Sequence, residues 1–204
     1  MEDSLVGLFV RSIFVENILF AYFLGMCSYL AVSKNVKTSF GLGIALCFVL
    51  MVTTPINYLI DKYLLEPGAM SWLSDKFTSV NLSFLSLIIF IAVIASVTQL
   101  LEMIIEKFSP SLYNSLGIFL PLIAVNCAIL GCSLFMQERE FPTLLHSIVY
   151  ASGSGIGWLL AIVAFAAIRE KIKYSDIPKP LRGLGIAYII TGLMGLAFMA
   201  LSGM

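Results

Sequence analysis

The chain has 204 residues, of which 60% are hydrophobic and 12% are charged, and its mean hydropathy is +1.00. A typical soluble domain carries about 25% charged residues, so this chain cannot bury its apolar surface in one soluble core. The formal net charge is zero and the basic residues form no large cluster, which excludes nucleic acid as the partner. The composition predicts an all-α integral membrane protein that contacts lipid.

Six apolar stretches are long enough to cross about 30 Å of hydrocarbon, which takes roughly 20 helical residues. The segments between them hold nearly all the charged residues and several turn formers. The acidic start lacks the features of a removed signal peptide, so we expect the first stretch to stay in the protein. The predicted spans are 8–32, 40–60, 82–101, 116–136, 147–168 and 184–203, in a single membrane domain covering 1–204.

The distribution of Lys and Arg predicts the orientation, since cytoplasmic loops carry the excess of basic residues. Loops one, three and five hold eight of the twelve, and the other side holds four, so both termini are predicted to lie outside. The eight are Lys34, Lys37, Lys107, Arg169, Lys171, Lys173, Lys179 and Arg182; the four are Arg11, Lys62, Lys76 and Arg139.

The first span contains two polar residues, Glu16 and Asn17, well inside the apolar stretch. An ionised carboxylate in hydrocarbon costs several kcal/mol, so such a residue usually faces protein or water. Two interpretations stay open for Glu16: a structural partner of Asn17 or of a neighbouring chain, or a residue lining an ion path.

The third span ends with Gln99, Glu102 and Glu106, which follow the i, i+3, i+7 spacing of one helix face. They lie near the predicted cytoplasmic end of the span. This position favours a wet polar interface over an ion-binding site.

The fourth span, GIFLPLIAVNCAILG at 117–131, places Asn126 beside Cys127. A shift of 100 residues superimposes Cys27 on Cys127, which indicates two repeats, about 1–108 and 109–204. Three spans in each repeat make the repeats inverted, an arrangement that many membrane transporters use. Gly25 and Pro121 precede the two cysteines and permit a broken span, whose exposed backbone must line a protein interface or a cavity.

The four cysteines fall into two pairs. Cys47 and Cys132 are interpreted as small apolar fillers, because Cys132 points about 140° away from Cys127 on a regular helix. For Cys27 and Cys127 a disulfide, half of a metal site and coincidence all stay open. With His146 as the one histidine, a four-ligand metal site would need two cysteines from a second, similar chain.

Two glycine-containing runs, SGSGIGW at 152–158 and TGLMG at 191–195, superficially resemble nucleotide-binding loops. Neither follows a strand, so the small residues are expected to permit close helix packing instead.

Three separated runs resemble the E-type membrane subunits of the sodium-translocating NADH:ubiquinone reductases, a bacterial inner-membrane family that also includes their D-type sisters and the A-type and E-type chains of Rnf complexes. The resemblance covers essentially the whole chain, and the third run favours the E type. The runs are LFVRSIFVENILFAYFLGMCSYLAVSK at 8–34, LPLIAVNCAILG at 120–131 and EKIKYSDIPKPLRGLGI at 170–186.

This resemblance implies six helices in two inverted three-helix repeats, with interrupted first and fourth helices. It also implies a D-type partner in the opposite orientation, further A, B, C and F subunits, and a [2Fe–2S] cluster between the two related chains. Cys27 and Cys127 match the family's ligand motifs, GMC and VNC, and Asn126 would order the broken backbone beside the thiol.

The family resemblance further implies that the chain relays electrons between NADH and ubiquinone in a sodium-exporting complex, with no complete active site of its own. Two alternatives are the related A-type chain of an Rnf complex and a six-helix transporter without redox chemistry. Iron content separates the last alternative from the others.

Overall fold

The computed structural model describes residues 4–65, 85–108, 113, 121–176 and 178–202. Helices and turns make up this described part of the chain, and it contains no strand. The α-helices are α1 (Leu5–Val10), α2 (Met26–Val32), α3 (Val36–Ile60), α4 (Ser86–Phe108), α5 (Pro121–Ala124), α6 (Cys127–Glu138), α7 (Leu144–Ile172) and α8 (Leu184–Ser202). Two of them continue as π-helical segments, α1 into Arg11–Val15 and α3 into Asp61–Leu65, and a 3₁₀ turn covers Lys179–Leu181.

Three helices, Val36–Leu65, Ser86–Phe108 and Leu144–Ile172, are long and apolar enough to cross a membrane. They correspond to the second, third and fifth predicted spans. Shorter apolar helices correspond to the other three spans. The all-helical class is confirmed, whereas six spans in two inverted repeats stay a prediction. Residues 82–84, 116–120 and 203 of the predicted spans lie outside the described residues.

The first and fourth predicted spans are both broken in the middle. In the first, helical structure ends at Val15 and resumes at Met26. In the fourth, the break lies between α5 and α6, at residues 125 and 126. Pro121 is the first described residue of this part of the chain, and it lies in α5, ahead of the break.

The centre of the fold is the pair formed by α3 and α7, the most extensive helix–helix contact in the described structure. Leu46 and Val49 of α3 and Trp158 and Ile162 of α7 are fully buried there. The start of the chain packs on α7, and α6 packs on α3. The two broken spans are therefore held against one rigid pair.

The glycines of the 152–158 run allow this packing, as the sequence predicts. A Cβ on Gly153 or Gly157 would approach the first span, and one on Gly155 would lie 2.9 Å from Cys47 Sγ on α3. In the 191–195 run Gly195 is buried, and the Phe23 ring lies 3.7 Å from a Cβ built there, whereas nothing in the described structure lies within 4 Å of a Cβ built on Gly192. Small residues on α7 face other helices, whereas Gly192 lies on an open part of α8.

An apolar face remains exposed on the outside of the helices. Phe40, Ile44, Phe48 and Met51 of α3 are each 44–50% exposed, and their spacing places them along one side of the helix. Such a continuous apolar face suits lipid or another membrane protein rather than water.

We predict that Gly157→Ala destabilises the chain, whereas Gly192→Ala does not. At position 157 the added Cβ would lie 3.0 Å from both Asn17 Nδ2 and Ile13 O. Overpacking costs about 1–3 kcal/mol, which is only partly offset by the roughly 1 kcal/mol that alanine gains over glycine in a helix. Thermal unfolding of the detergent-solubilised proteins checks this, and equal unfolding temperatures for the two variants would contradict it.

Candidate functional site

The two broken spans meet at the sequence-predicted cysteines. The backbone N–H of Gly25, just before α2, donates a hydrogen bond of 2.9 Å to Cys127 Sγ, at the start of α6. Cys27 lies two residues after Gly25, in the first turn of α2. The structure therefore brings together two cysteines that lie 100 residues apart in the sequence.

Gly25 occupies a position that only glycine fits. Its φ is +83°, in the left-handed region, which carries a steric cost for residues with a Cβ. A Cβ would also lie 2.6 Å from Trp158 Nε1 and 3.0 Å from Asn126 Oδ1. The Gly25 backbone therefore lies close to Trp158 and Asn126, and in this position its N–H points at Cys127 Sγ.

Asn126 connects the two breaks and is 2% exposed. Its Oδ1 accepts a hydrogen bond from the backbone N–H of Ala128 at 3.0 Å, which caps α6. Its Nδ2 donates to Ser28 Oγ of α2 at 2.9 Å. One buried amide thus orders the backbone on both sides of the thiols.

Asn17 has a similar role at the start of the first break. Its Nδ2 donates to Ile13 O at 3.0 Å and to Gly157 O of α7 at 2.9 Å, and its Oδ1 accepts from Leu19 N at 3.1 Å. Asn17 is 1% exposed, and its amide group bonds to backbone groups of the break and of α7. These contacts hold the start of the first break against α7.

The site lies beside the middle of α7. That helix has 29 residues, so it is roughly 43 Å long. Gly157 and Trp158, the residues that contact the two breaks, lie at its midpoint. The two cysteines therefore lie near half the depth that α7 crosses.

From this midpoint α2 and α6 run towards opposite ends of α7. The far end of α2 meets Arg169, whose Nη1 donates to Leu30 O at 2.9 Å and to Ser33 Oγ at 2.7 Å. The far end of α6 is next to Arg139, whose guanidinium lies over the Tyr150 ring at 5.1 Å, near the start of α7. The two helices that begin at the cysteines are thus antiparallel.

The surroundings of the four cysteines separate them as the sequence argument does. All four are free thiols; Cys27 and Cys127 are exposed, whereas Cys132 is buried and Cys47 is half-buried. Thr54 Oγ1 lies 3.8 Å from Cys132 Sγ, between α3 and α6. Cys27 and Cys127 face outward on an apolar surface, where a neighbouring molecule can reach both sulfurs.

Glu16 is paired with two arginines, not with Asn17, so that part of the sequence prediction is wrong. Its carboxylate lies 2.7 Å from Arg11 Nη2 and 2.5 Å from Arg139 Nη2. Arg139 comes from the loop after α6, 123 residues away in the chain. That separation explains why hydropathy and local spacing gave no sign of the pair.

Glu16 and its two arginines line an open cleft of about 1070 Å³ at the start of α7. Burial disfavours the Arg139 charge, but the hydrogen bond and the charge of Glu16 outweigh it, so the pKa of Arg139 is raised above its ordinary value. Guanidinium groups stay charged in proteins. Two positive charges around one carboxylate disfavour a cation at this position.

The remaining sequence candidates lie on α4. Gln99 and Glu106 of α4 are exposed and Glu102 is half-buried. Among the described hydrogen bonds none connects them to the breaks. Sequence reasoning missed Ser28 and Arg169, whose roles depend on contacts with Asn126 and with the end of α2.

We predict that Asn126→Ala destabilises the chain by about 1–3 kcal/mol, because it removes the cap of α6 and leaves buried polar groups without a partner. Asn35→Ala is the matched control, since Asn35 occupies the N-cap position of α3 without a side-chain capping bond. Thermal unfolding in detergent measures both variants. The capping role of Asn126 is wrong if the two substitutions shift the unfolding temperature equally.

Comparison with known proteins identifies the family. The family described as "Rnf-Nqr subunit, membrane protein" matches residues 5–204. The chain is 55% identical to the E subunit of the Na(+)-translocating NADH-quinone reductase of Rhodopirellula baltica, covering 100% of this chain and 99% of the relative. It is also 55% identical to the E subunit of the Alcanivorax borkumensis reductase, over 100% and 98%, and 57% identical to that of Psychromonas ingrahamii, over 98% of each.

These matches confirm the resemblance drawn from the sequence. The apolar helices and the family together make the chain a multi-pass membrane protein. The chain belongs to the Rnf-Nqr family of membrane protein subunits.

Proposed function

We propose that this chain is the electron-relaying E subunit of a sodium-translocating NADH:quinone reductase, with Cys27 and Cys127 as two of the four ligands of a [2Fe–2S] cluster. The homologous D subunit would supply the other two. The main observation in support is the hydrogen bond from Gly25 N–H to Cys127 Sγ. It places Cys127 beside the turn that holds Cys27, and both thiols are exposed. The relatives named as E subunits, at 55–57% identity over nearly their full length, support the complex.

The residues at the site suit half of such a cluster. A [2Fe–2S] centre takes four thiolates, and in the described structure no three His, Cys, Asp or Glu side chains gather as a metal site. When two similar chains share the four ligands equally, each chain supplies two. This chain has two outward-facing thiols on an apolar surface. When bound, the cluster supplies one-electron oxidation and reduction.

Both cysteines lie where a helix begins. Cys127 is the first residue of α6 and Cys27 lies in the first turn of α2. The Gly25 N–H donates directly to Cys127 Sγ. Hydrogen bonds to ligand sulfurs are one of the means by which proteins set the reduction potential of such centres.

The position at the middle of α7 supports a relay. A hydrocarbon layer of about 30 Å is too wide to cross without an intermediate carrier, and a carrier at half depth leaves roughly 15 Å on each side. The bulky side chains Tyr22, Phe23 and Val125 lie exposed beside the breaks and would keep water from the sulfurs. The chain's proposed role is electron transfer and not substrate conversion.

The antiparallel course of α2 and α6 supports the proposed inverted repeats. Each follows a break, each carries a cysteine in its first turn, and they leave the site in opposite directions. A partner built the same way in the opposite orientation would present two further thiols at the same depth. The proposed location is the bacterial inner membrane, with both termini in the periplasm and with A, B, C and F subunits completing the complex.

Glu16 is proposed as a structural residue, in preference to an ion-path residue. Its ion pair with Arg139 connects the first predicted span with the loop after α6, and Arg11 of the same span pairs with its other carboxylate oxygen. Gln99 and Glu102 are proposed as part of a polar interface on α4, away from the relay.

We predict that Cys27→Ser and Cys127→Ser each abolish or weaken cluster binding, because oxygen is a harder donor than the thiolate that iron prefers. Cys47→Ala and Cys132→Ala are the controls, and they should keep the iron while costing about 1–2 kcal/mol of stability where packing is close. Iron content and electron paramagnetic resonance of the reduced complex measure the effect. In the proposed complex NADH first reduces a flavin on the cytoplasmic F subunit, ahead of this cluster. That reduction should therefore persist, while quinone reduction and sodium transport fail together.

Full iron content and normal quinone reductase activity in the Cys127→Ser complex would refute the relay. Loss of iron in a Cys47 or Cys132 variant would identify a different ligand pair. A wild-type complex without this iron would favour the transporter that lacks redox chemistry.

We predict that a cysteine at Ser175 reacts with an impermeant maleimide only from the cytoplasmic side, whereas one at Thr143 reacts from outside. Both residues are exposed, and they lie at opposite ends of α7. Labelling of intact cells and of inverted vesicles measures the two positions. The opposite pattern would reverse the proposed orientation.

A further inference from the structure

Four basic side chains surround an open cleft at the C-terminal end of α7. The cleft has a volume of about 650 Å³ and lies between the loop after α2, the end of α7 and the start of α8. Glu170 is the one carboxylate that lines it among the described residues. The basic cleft is defined by Lys34, Arg169, Lys173 and Arg182.

Three of these charges are available to a ligand. Lys34, Lys173 and Arg182 are exposed, and they form no ion pair with another residue in the described part of the chain. This contrasts with the cleft at the other end of α7, where Glu16 already pairs with two arginines. Arg169 donates a hydrogen bond to Leu30 O near the end of α2. It therefore holds one wall of the cleft in place and adds a fourth positive charge.

An apolar groove continues from the basic cleft towards the middle of the membrane. The groove has a volume of about 640 Å³ and shares Lys34, Arg169 and Gly183 with the cleft. Its other lining residues are almost all apolar, and Cys27 lies at its deep end. The apolar groove is defined by Leu30, Ala31, Leu184 and Ala187.

We propose that the basic cleft and the apolar groove together bind one anionic phospholipid. The phosphate of the headgroup would lie among Lys34, Lys173 and Arg182, and one acyl chain would follow Leu30 and Leu184. Basic pockets between membrane helices on the cytoplasmic side are a known way to recognise acidic headgroups. Along α2 the groove spans roughly 10 Å from Lys34 to Cys27, within the roughly 15 Å of one hydrocarbon leaflet.

The combination of charge and apolar surface favours a lipid over other anions. A soluble phosphate would use the four basic residues but would leave the groove empty. An acidic protein surface would likewise contact the charges at the rim and could not extend into the membrane. A phospholipid is the one ligand of the three whose two ends match both parts of the site.

The test compares the purified, detergent-solubilised complex with two triple variants. The cleft variant is Lys34→Gln, Lys173→Gln and Arg182→Gln; the control, Lys37→Gln, Lys107→Gln and Lys171→Gln, removes the same charge from residues outside the cleft and groove just defined. Phosphatidylglycerol, phosphatidylcholine and inorganic phosphate are each titrated while the unfolding temperature is followed. Phosphatidylglycerol should stabilise the wild type and the control at low concentration, and the other two probes should not.

In the cleft variant the phosphatidylglycerol concentration for half the maximal shift should rise about fivefold for each charge removed, on the order of 100-fold for three. Arg182→Gln alone, at an exposed position, should raise this concentration about fivefold. This single variant replaces the triple variant in the test if the triple variant does not fold. An unchanged midpoint in these variants overturns the proposal. Equal stabilisation by inorganic phosphate identifies a soluble anion instead, and loss of a partner protein from the complex with an unchanged lipid response identifies an acidic protein surface.

Discussion

The fold depends on one constraint: inside a membrane, every backbone N–H and C=O must find a partner within the protein. Two spans of this chain are broken near the middle of α7, so their free backbone groups need such partners. Asn17 and Asn126, both buried, supply them through their side-chain amides. Each amide also reaches a second element, α7 from Asn17 and Ser28 of α2 from Asn126, so that satisfying the breaks also fixes their relative position.

Close packing makes this arrangement possible. The glycines on α7 let the first span and α3 approach its backbone, and Gly25 lets the first break approach Trp158. Interfaces between membrane helices gain little from the hydrophobic effect, because lipid tails are as apolar as the side chains. Shape complementarity and interhelical hydrogen bonds therefore hold the site, and the N–H of Gly25 is left aimed at the sulfur of Cys127.

A cluster of charged residues lies at each end of α7. The buried polar side chains of the described structure are all neutral Ser, Thr or Asn. At one end Glu16 and two arginines neutralise much of each other's charge, whereas at the other end the basic residues face an open cleft. The two thiols lie in the apolar layer between these ends, as the proposed electron relay requires. The end with the unpaired basic residues suits the proposed acidic lipid headgroup.

The sequence by itself determined the membrane class, the all-helical class and the close-packing role of the 152–158 glycines, and it led to the proposal of Cys27 and Cys127 over the other two cysteines. These follow from local sums of hydropathy, from helical spacing and from motifs, all of which are properties of neighbouring residues. Only the tertiary structure decided that Glu16 pairs with Arg139, that the fourth predicted span is broken at residues 125 and 126, and that Gly192 packs against nothing described. The reason is physical: which partner a buried polar group or a small residue meets depends on helices distant in sequence, and no local pattern encodes their approach.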